Sequence, residues 1–434
     1  MRKLSSFILA LLLASCLSEK NIDPANANTF TRYFSDGFAN EPVAVEETPD
    51  HGFIILVNTN FKNTDAELSK ERIQLIKIDA FGQLQWQQYF PSNDFETTAE
   101  RWRASSIMVG GEGNFGYTII GEKVTGTGAL EAKSILLFQA DSLGNKADIS
   151  LLSNETNFTG KAVARNKASS GSGTSYYVLA QATDNATNNI LLTELSSDFS
   201  QKIWTRKHVG GPVTLNNKLY FRLLADQSDA PGLCFGGYRT YSDNNVSSFI
   251  GRTLLNSGIM INGLQDLGTD ASREFMHDFC LKGAGFGIIG DIQTGSSLSD
   301  IFFMSLSSTL IAGDTLDYKK QIFDDLKYTN GTNVKAEIGN AIHADIYNSG
   351  GYIIAATIDT YTGILGRGNT DMYLMKTLSS GQKVWHRTYG SPDADAAVSV
   401  RPTSDGGYVL LGRSRLAALN TTVLIKTDKN GDVD

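Results

Sequence analysis

The sequence predicts an all-β fold: a seven-bladed β-propeller of four-stranded blades, closed by an N-terminal strand that completes the last blade. Three observations predict it. One phrase recurs, as SGGYIIAA (349–356) followed by LMKTLSSGQKVWHRTYG (374–390), then as DGGYVLLG (405–412) followed by LIKTDKNGDVD (424–434). An apolar second strand opens at Phe53, Tyr117, Tyr177, Leu233, Phe286, Tyr352 and Tyr408, at intervals of 53 to 66 residues, close enough to a period to demand a repeat architecture. The last copy lacks the aromatic due after its turn glycine, Gly431, while Phe30-Thr-Arg-Tyr-Phe34 reproduces the spacing of Trp86-Gln-Gln-Tyr-Phe90. A repeat that ends unfinished and begins with its remainder predicts a closed ring.

Each unit begins with a strand that leads through a tight turn into the second strand. Four residues into that second strand comes a small residue in five copies: Gly121, Gly237, Gly290, Ala356 and Gly412. Val57 and Gln181 depart from the rule. A long loop follows, then a third strand of recurring form: IQLIKID (73–79), SILLFQAD (134–141), NILLTEL (189–195), DIFFMSL (300–306), DMYLMKT (371–377) and TVLIKTD (422–428). A polar turn leads to the fourth strand, where Trp86, Trp204 and Trp385 share one position. Short apolar and β-branched runs between Gly, Asn and Asp clusters read as strands, and no segment sustains a helical period. A solenoid would need capping units. A ring completed by the first strand instead removes the open seam at which strand edges mispair.

These motifs resemble a propeller repeat common in secreted and lipid-anchored Bacteroidota proteins, with a consensus near DGGYILAG, YLIKTDSNGNVQW and KTYGG. The resemblance covers essentially all of 30–434 and is strongest at 349–390 and 405–428. It implies fold and lineage and carries no single activity. The stretch IDAFGQLQW (78–86) is also similar to the Asp-X-X-Gly-X-X-X-Trp docking segment of quinoprotein propellers. That likeness implies a tight turn and an indole filling the gap between blades. No cofactor is expected.

Residues 1–15 read as a secretory signal: Arg2-Lys3, the apolar run Phe7–Leu13, then small residues. Leu13-Ala-Ser-Cys16 resembles the lipobox of bacterial lipoproteins, which implies lipidation of Cys16 and a membrane anchored through it. Leu17, by resemblance to enterobacterial sorting, implies the outer membrane, facing either the periplasm or the medium. Residues 16–29 form the lipidated cysteine and a polar tether, and 30–434 the propeller domain. A net charge of −8 without a long basic block argues against nucleic acid as a partner. Cys234 and Cys280 fall in neighbouring blades, which predicts two separate buried thiols.

Candidate ligand-binding residues come in two groups. His277 and His343 both lie nine residues before their second strands, which predicts one shared position on neighbouring inner strands, facing the central channel. Asp278 and Asp345 are close in sequence and could orient a ring or share a cation. Zinc sites want three or four protein ligands, so no metal site is assigned. The second group is a surface: the loops 58–71, 91–103 and 358–370 with the aromatics Trp102, Tyr241 and Tyr361, and Arg101 and Arg103 flanking the tryptophan. Asp428, Asn430, Asp432 and Asp434 have the alternating spacing of a calcium loop, but every copy of the repeat has a polar turn there. Glu41, Glu274 and Asp395 begin inner strands and could form a carboxylate ring. Nucleophile elbows, phosphate loops and His-Glu-X-X-His are absent, and no catalytic residue is assigned. The expectation is a non-catalytic outer-membrane lipoprotein that binds a protein or glycan through its long-loop face. The alternatives are a glycan-active hydrolase or lyase at the channel mouth and a purely structural envelope component.

Overall fold

The structure is a computed structural model that describes residues 28–61, 70–91, 100–110, 116–126, 131–148, 152–166, 175–182, 189–224, 230–241, 244–267, 272–283, 285–293, 299–306, 318–323, 336–348, 350–359, 369–416 and 419–433. Every regular element among them is a strand, and none of them forms a helix long and apolar enough to cross a membrane. The signal, Cys16 and most of the tether lie outside the described residues.

Strand β1 is Phe30–Phe34. The next four, β2 (Ala39–Glu47), β3 (Phe53–Phe61), β4 (Lys70–Ile78) and β5 (Leu84–Phe90), form an antiparallel meander. Two more meanders follow: β6 (Arg101–Val109), β7 (Gly116–Thr125), β8 (Ala132–Asp141) and β9 (Lys146–Asp148), then β10 (Phe158–Asn166), β11 (Ser175–Ala182), β12 (Ile190–Leu195) and β13 (Lys202–His208). Nine strands share the next sheet: β14 (Val213–Leu215), β15 (Tyr220–Leu224), β16 (Ala230–Thr240), β17 (Val246–Leu254), β18 (Met260–Asp266), β19 (Arg273–Lys282), β20 (Gly285–Gln293), β21 (Ser299–Leu306) and β22 (Tyr318–Phe323). Its halves are joined by one parallel pairing, Val246 with Arg273. A further meander holds β23 (Glu337–Ala344), β24 (Tyr352–Asp359), β25 (Thr370–Thr377) and β26 (Lys383–Tyr389). The last sheet consists of β27 (Asp395–Pro402), β28 (Tyr408–Leu416), β29 (Leu419–Thr427) and, beyond β29, β1. This is an all-β propeller architecture, with meanders packed face to face around a common cavity.

The core is a series of clusters between successive sheets, with a further one between the two halves of the nine-stranded sheet. Second and third strands are apolar on both faces because both faces are covered, as the fully buried ILLTEL of β12 illustrates. One cluster, with Phe30, Val45, Phe53, Ile55, Val409 and Leu424, joins the first and last sheets. In several of these contacts an outer-strand aromatic takes part. Trp86 meets Tyr117 of the next sheet edge-on at 6.1 Å and donates Nε1–H to the Ser142 carbonyl at 3.1 Å. Trp385 meets Tyr408 in the same way at 5.8 Å, and Phe30 meets Phe53 at 6.4 Å. Register agrees with that equivalence: Phe30 pairs with Lys426 as Trp86 pairs with Lys77 and Trp385 with Lys376. The turn glycine of the following sheet lies against the ring. A Cβ on Gly431, whose φ is +80°, would come within 2.8 Å of Trp385, and one on Gly82, at φ +76°, within 2.9 Å of Phe30. The position therefore demands glycine twice, for the left-handed turn and for the indole.

The small residue of the second strand has a similar origin. A Cβ on Gly121, Gly237 or Gly290 would lie within about 2 Å of a carbonyl oxygen on the neighbouring inner strand (Arg103, Thr214 and Phe275, respectively). One register must be corrected. Tyr176, rather than Tyr177, opens the second strand of the third meander, because Tyr177 pairs with Glu194 and thence with Trp204, as Ile54 pairs with Lys77 and Trp86. Ala180 then takes the small-residue position, and Gln181 no longer departs from the rule.

Candidate functional site

The innermost strands β2, β6, β10, β19, β23 and β27 each carry a β-bulge at one place, opposite the small-residue position of the second strand, which Val57 occupies in the first sheet. A bulge inserts one unpaired residue and re-aims side chains. The inserted residues are Val43, Ser105, Lys161, His277, Asn340 and Val398, and all of them line an axial cavity of about 960 Å³. Between β14 and β15 the same place opens wider. Asn216 to Leu219 stand opposite Phe235 and Gly236, and this break carries Asn216, Asn217 and Lys218 into the cavity wall. The volume falls within the range of about 300–1,000 Å³ usual for small-molecule sites.

Cross-sheet hydrogen bonds hold these inner strands in place. Asn58 clamps Ala104, its Nδ2 donating to the carbonyl at 3.0 Å and its Oδ1 accepting from the amide at 2.8 Å. Gln181 treats Leu215 and Val213 likewise, and the Ala397 amide donates to Thr357 Oγ1 at 3.1 Å. The Thr159 hydroxyl donates to Glu122 at 2.6 Å, the Tyr220 hydroxyl to the Phe279 carbonyl at 3.2 Å, and the Ile342 amide to Asp278 at 3.0 Å. Arg401 of β27 grips Glu46 of β2 through Nε at 3.1 Å and Nη2 at 2.6 Å.

A charged cluster occupies one level of the cavity. Glu46, His343 and Arg401 are register equivalents, each pairing with the second residue of its second strand (Ile54, Ile353 and Val409). Burial alone would raise the Glu46 carboxyl, but Arg401, with Lys218 and His343 behind it, holds it below the ordinary carboxylate range. Burial and the nearby Arg401 guanidinium push His343 down to about 4, so its imidazole is neutral near pH 7. Its Nδ1 lies 2.8 Å from the Ala344 carbonyl, which can only accept, so Nδ1 carries the proton. That leaves Nε2 as a lone-pair acceptor with no hydrogen-bond partner among the described residues. Lys218 is depressed by burial and by Arg401; among the described residues it pairs with Asp278 at 3.9 Å, too long for a hydrogen bond. Asp278 is already filled: Oδ1 accepts the Phe279 amide at 2.9 Å and Oδ2 the Ile342 amide. Burial pushes Cys280 up to about 12 and keeps it a thiol, and burial raises Tyr220 well above the usual phenol range. Lys161, on the β10 bulge, is also depressed by burial, against the pull of Glu122.

The structure separates the sequence-predicted residues. His277 and His343 are not equivalent. The β19–β20 hairpin is tight, with Lys282 pairing Gly285, whereas Ala344 pairs Tyr352 across a seven-residue turn, 345–351. His277 is therefore the bulge residue, equivalent to Asn340, and His343 is equivalent to Cys280. His277 Nε2 pairs with Asp291 of β20. Asp345 is outside the cavity wall: it is buried in the hairpin turn, where it bonds Lys376, the Tyr408 hydroxyl and the Asn348 amide. Trp102 is the second residue of β6 and lies in the core against Phe138, so it is not a surface aromatic. Tyr241 is on the surface, in the β16–β17 turn, with its hydroxyl on Asp266, beside a cleft of about 680 Å³ formed with Val209, Pro212 and Leu264. Tyr361 and most of the long loops lie outside the described residues. Glu41 is held by Arg103 at 2.7 Å, Glu274 by Lys320 and Ser272, and Asp395 accepts the Ser391 amide and hydroxyl. Asp428 caps its own turn through Asn430 and Asp432. Both described cysteines are buried. Among the described residues no group of three His, Cys, Asp or Glu side chains could hold a metal ion.

Lys218, Arg401 and Glu46 carry no signal when the copies are aligned on the second strand, because hairpin length varies between copies. Counting backward from each hairpin turn would have put Glu46, His343 and Arg401 in one column. The Asn216-Asn217-Lys218 insertion had a weaker signal, a polar break inside an apolar inner strand.

No family model matches the chain, and no curated protein matches it. Solved structures with a similar backbone include a Synechocystis apocarotenoid oxygenase (TM-score 0.48, 9% identity, 93% of this chain and 91% of that one). A Fusarium graminearum α-L-arabinofuranosidase gives 0.45 and 10%, covering 92% and 98%. A Penicillium chrysogenum α-L-arabinanase gives 0.43 and 11%, covering 94% and 99%. These scores and identities are too low for any of those activities to be carried over.

Proposed function

We propose that this chain is a seven-bladed β-propeller, closed by β1 and held at the outer membrane through Cys16, that binds a polar ligand of the glycan class inside its axial cavity. The blade count follows from dividing the nine-stranded sheet at its single parallel pairing. Closure is supported by β1 on β29 and by the Arg401–Glu46 clamp. One observation carries the functional reading: among the described residues the cavity wall keeps hydrogen-bonding groups that the fold does not use, namely Lys161, Lys218, His343 Nε2 and the buried side-chain amide of Asn216. Buried polar groups in a folded protein are almost all satisfied, so unsatisfied ones facing a cavity are a candidate site. This moves the binding site from the loop face to the channel.

The test is calorimetric binding and glycan-array screening of a soluble form spanning 17–434, beside Val398→Trp. Val398 is an inserted bulge residue that lines the cavity, and an indole there narrows it. Binding lost in the variant is expected; binding unchanged would overturn the reading. A second reading is a glycan-active hydrolase or lyase, favoured by the neutral His343, whose free Nε2 could accept a proton. Release of reducing ends or unsaturated products, abolished by His343→Ala, would establish it.

A further inference from the structure

We infer that the ligand of the axial cavity carries a carboxylate next to hydroxyl groups, as a sugar acid does, and that Lys218 receives the carboxylate. The inference rests on the cavity reading above and adds the chemical class.

It comes from asking which charges in the wall are already spent. Both oxygens of Asp278 accept backbone amides, and both oxygens of Glu46 face the Arg401 guanidinium. Glu122 accepts Thr159 at 2.6 Å and has Lys133 at 3.7 Å. The acids of the wall are thus largely committed to the fold, Glu122 through one of its two oxygens. The ammonium groups are not: neither Lys218 nor Lys161 makes a hydrogen bond among the described residues. An ammonium offers three donors and no acceptor. The unfilled capacity of the wall is therefore mostly donor capacity with positive charge, and an anion with several acceptor oxygens complements it. A phosphate or sulfate would meet the lysines equally well. The neutral His343 decides for a hydroxylated ligand, since Nε2 is an acceptor that an anion's oxygens would repel and a hydroxyl would satisfy. Lys218 lines the cavity at the β14–β15 break with 22% of its side chain exposed, so it is not sealed off from a ligand there.

The experiment uses glucuronate, galacturonate and N-acetylneuraminate, each beside its methyl ester, as calorimetric ligands for wild type, Lys218→Met, Lys161→Met and Val398→Trp. At least one acid should bind wild type about tenfold or more tighter than its ester, as expected for loss of a charge-assisted contact. Lys218→Met should erase that preference and melt no lower than wild type. Lys161→Met reports whether the second lysine shares the carboxylate, and it keeps the test alive if Lys218→Met misfolds. Equal binding of acid and ester, or a preference intact in both lysine variants, overturns the inference while leaving cavity binding standing. Binding that survives in Val398→Trp overturns the cavity reading itself, as does a lack of binding by acids and neutral sugars alike.

Discussion

Two sets of lysines in this molecule are withdrawn from the outer surface, and they differ in what their ammonium groups touch. Lys77, Lys376 and Lys426 sit at one position of the third strands and reach back to the hairpin turn between the first two. Lys77 bonds Asp50 at 2.9 Å and the Ile78 carbonyl at 2.9 Å; Lys426 bonds Asp405 at 3.0 Å and the Thr427 carbonyl at 3.2 Å. Lys376 bonds Asp345 and the Gly350 carbonyl at 2.6 Å. Gly52 and Gly407 leave room for this arrangement, since a Cβ on either would lie within 2.6 Å of the ammonium. Lys218 and Lys161 have no such partners among the described residues. The first set is part of the repeat and welds a turn to its sheet. The second set lies where the repeat is broken or bulged, and its hydrogen bonds are left for something else.

The largest expected effect falls on the first set. Lys376→Met strands the buried Asp345 carboxylate, and breaking a buried pair costs about 3–5 kcal/mol. Urea unfolding should show that loss. A cost below about 1 kcal/mol would mean that the turn pair is not structural. Gly431→Ala comes next, at about 2 kcal/mol, since the new Cβ meets both a left-handed turn and the Trp385 ring. The same substitution at Gly211, also at positive φ but with nothing within 4 Å, should cost less, and thermal melts of the two separate strain from collision.

The cavity also holds a group that makes stability depend on pH. His343 has an ordinary value of 6.5 when unfolded and about 4 in the fold. Between those values the unfolded chain takes up the proton first, so stability present above pH 6.5 is lost as pH falls through about 4. The loss should be about 2 kcal/mol, discounted for cavity water. His343→Gln should flatten that part of the profile, and an unchanged profile would show the imidazole to be solvated. The smallest effect is at Lys218. Lys218→Met removes an ammonium that has no hydrogen bond, so stability should change by less than about 1 kcal/mol, and upward. A cost like that of Lys376→Met would erase the contrast between the two sets.

Much of this was legible in the chain because the repeat encodes it locally. Phe30 pairing Lys426, the glycine beneath each docked aromatic and the small residue facing the inner strand all follow from matching one copy with another. The slip at Tyr177 shows the limit, since two adjacent tyrosines satisfy the pattern equally and only pairing with Glu194 and Trp204 chooses. The candidate site was less legible. His277 and His343 share a distance to the second strand and not a position, because one hairpin is tight and the other spans 345–351. Trp102 sits beside two arginines in sequence, and strand alternation turns it into the core.

By itself the sequence determined the all-β repeat, the four strands of a unit and the pairing of the first strand with the last. Those depend on local periodicity and on side chains that meet the same neighbour in every copy. Only the tertiary structure decided which polar groups face the axis, because bulges and hairpin lengths shift the register by one residue or several. It also decided which charges are already paired, because Arg401 and Glu46 are 355 residues apart in the chain and meet only when the two ends do.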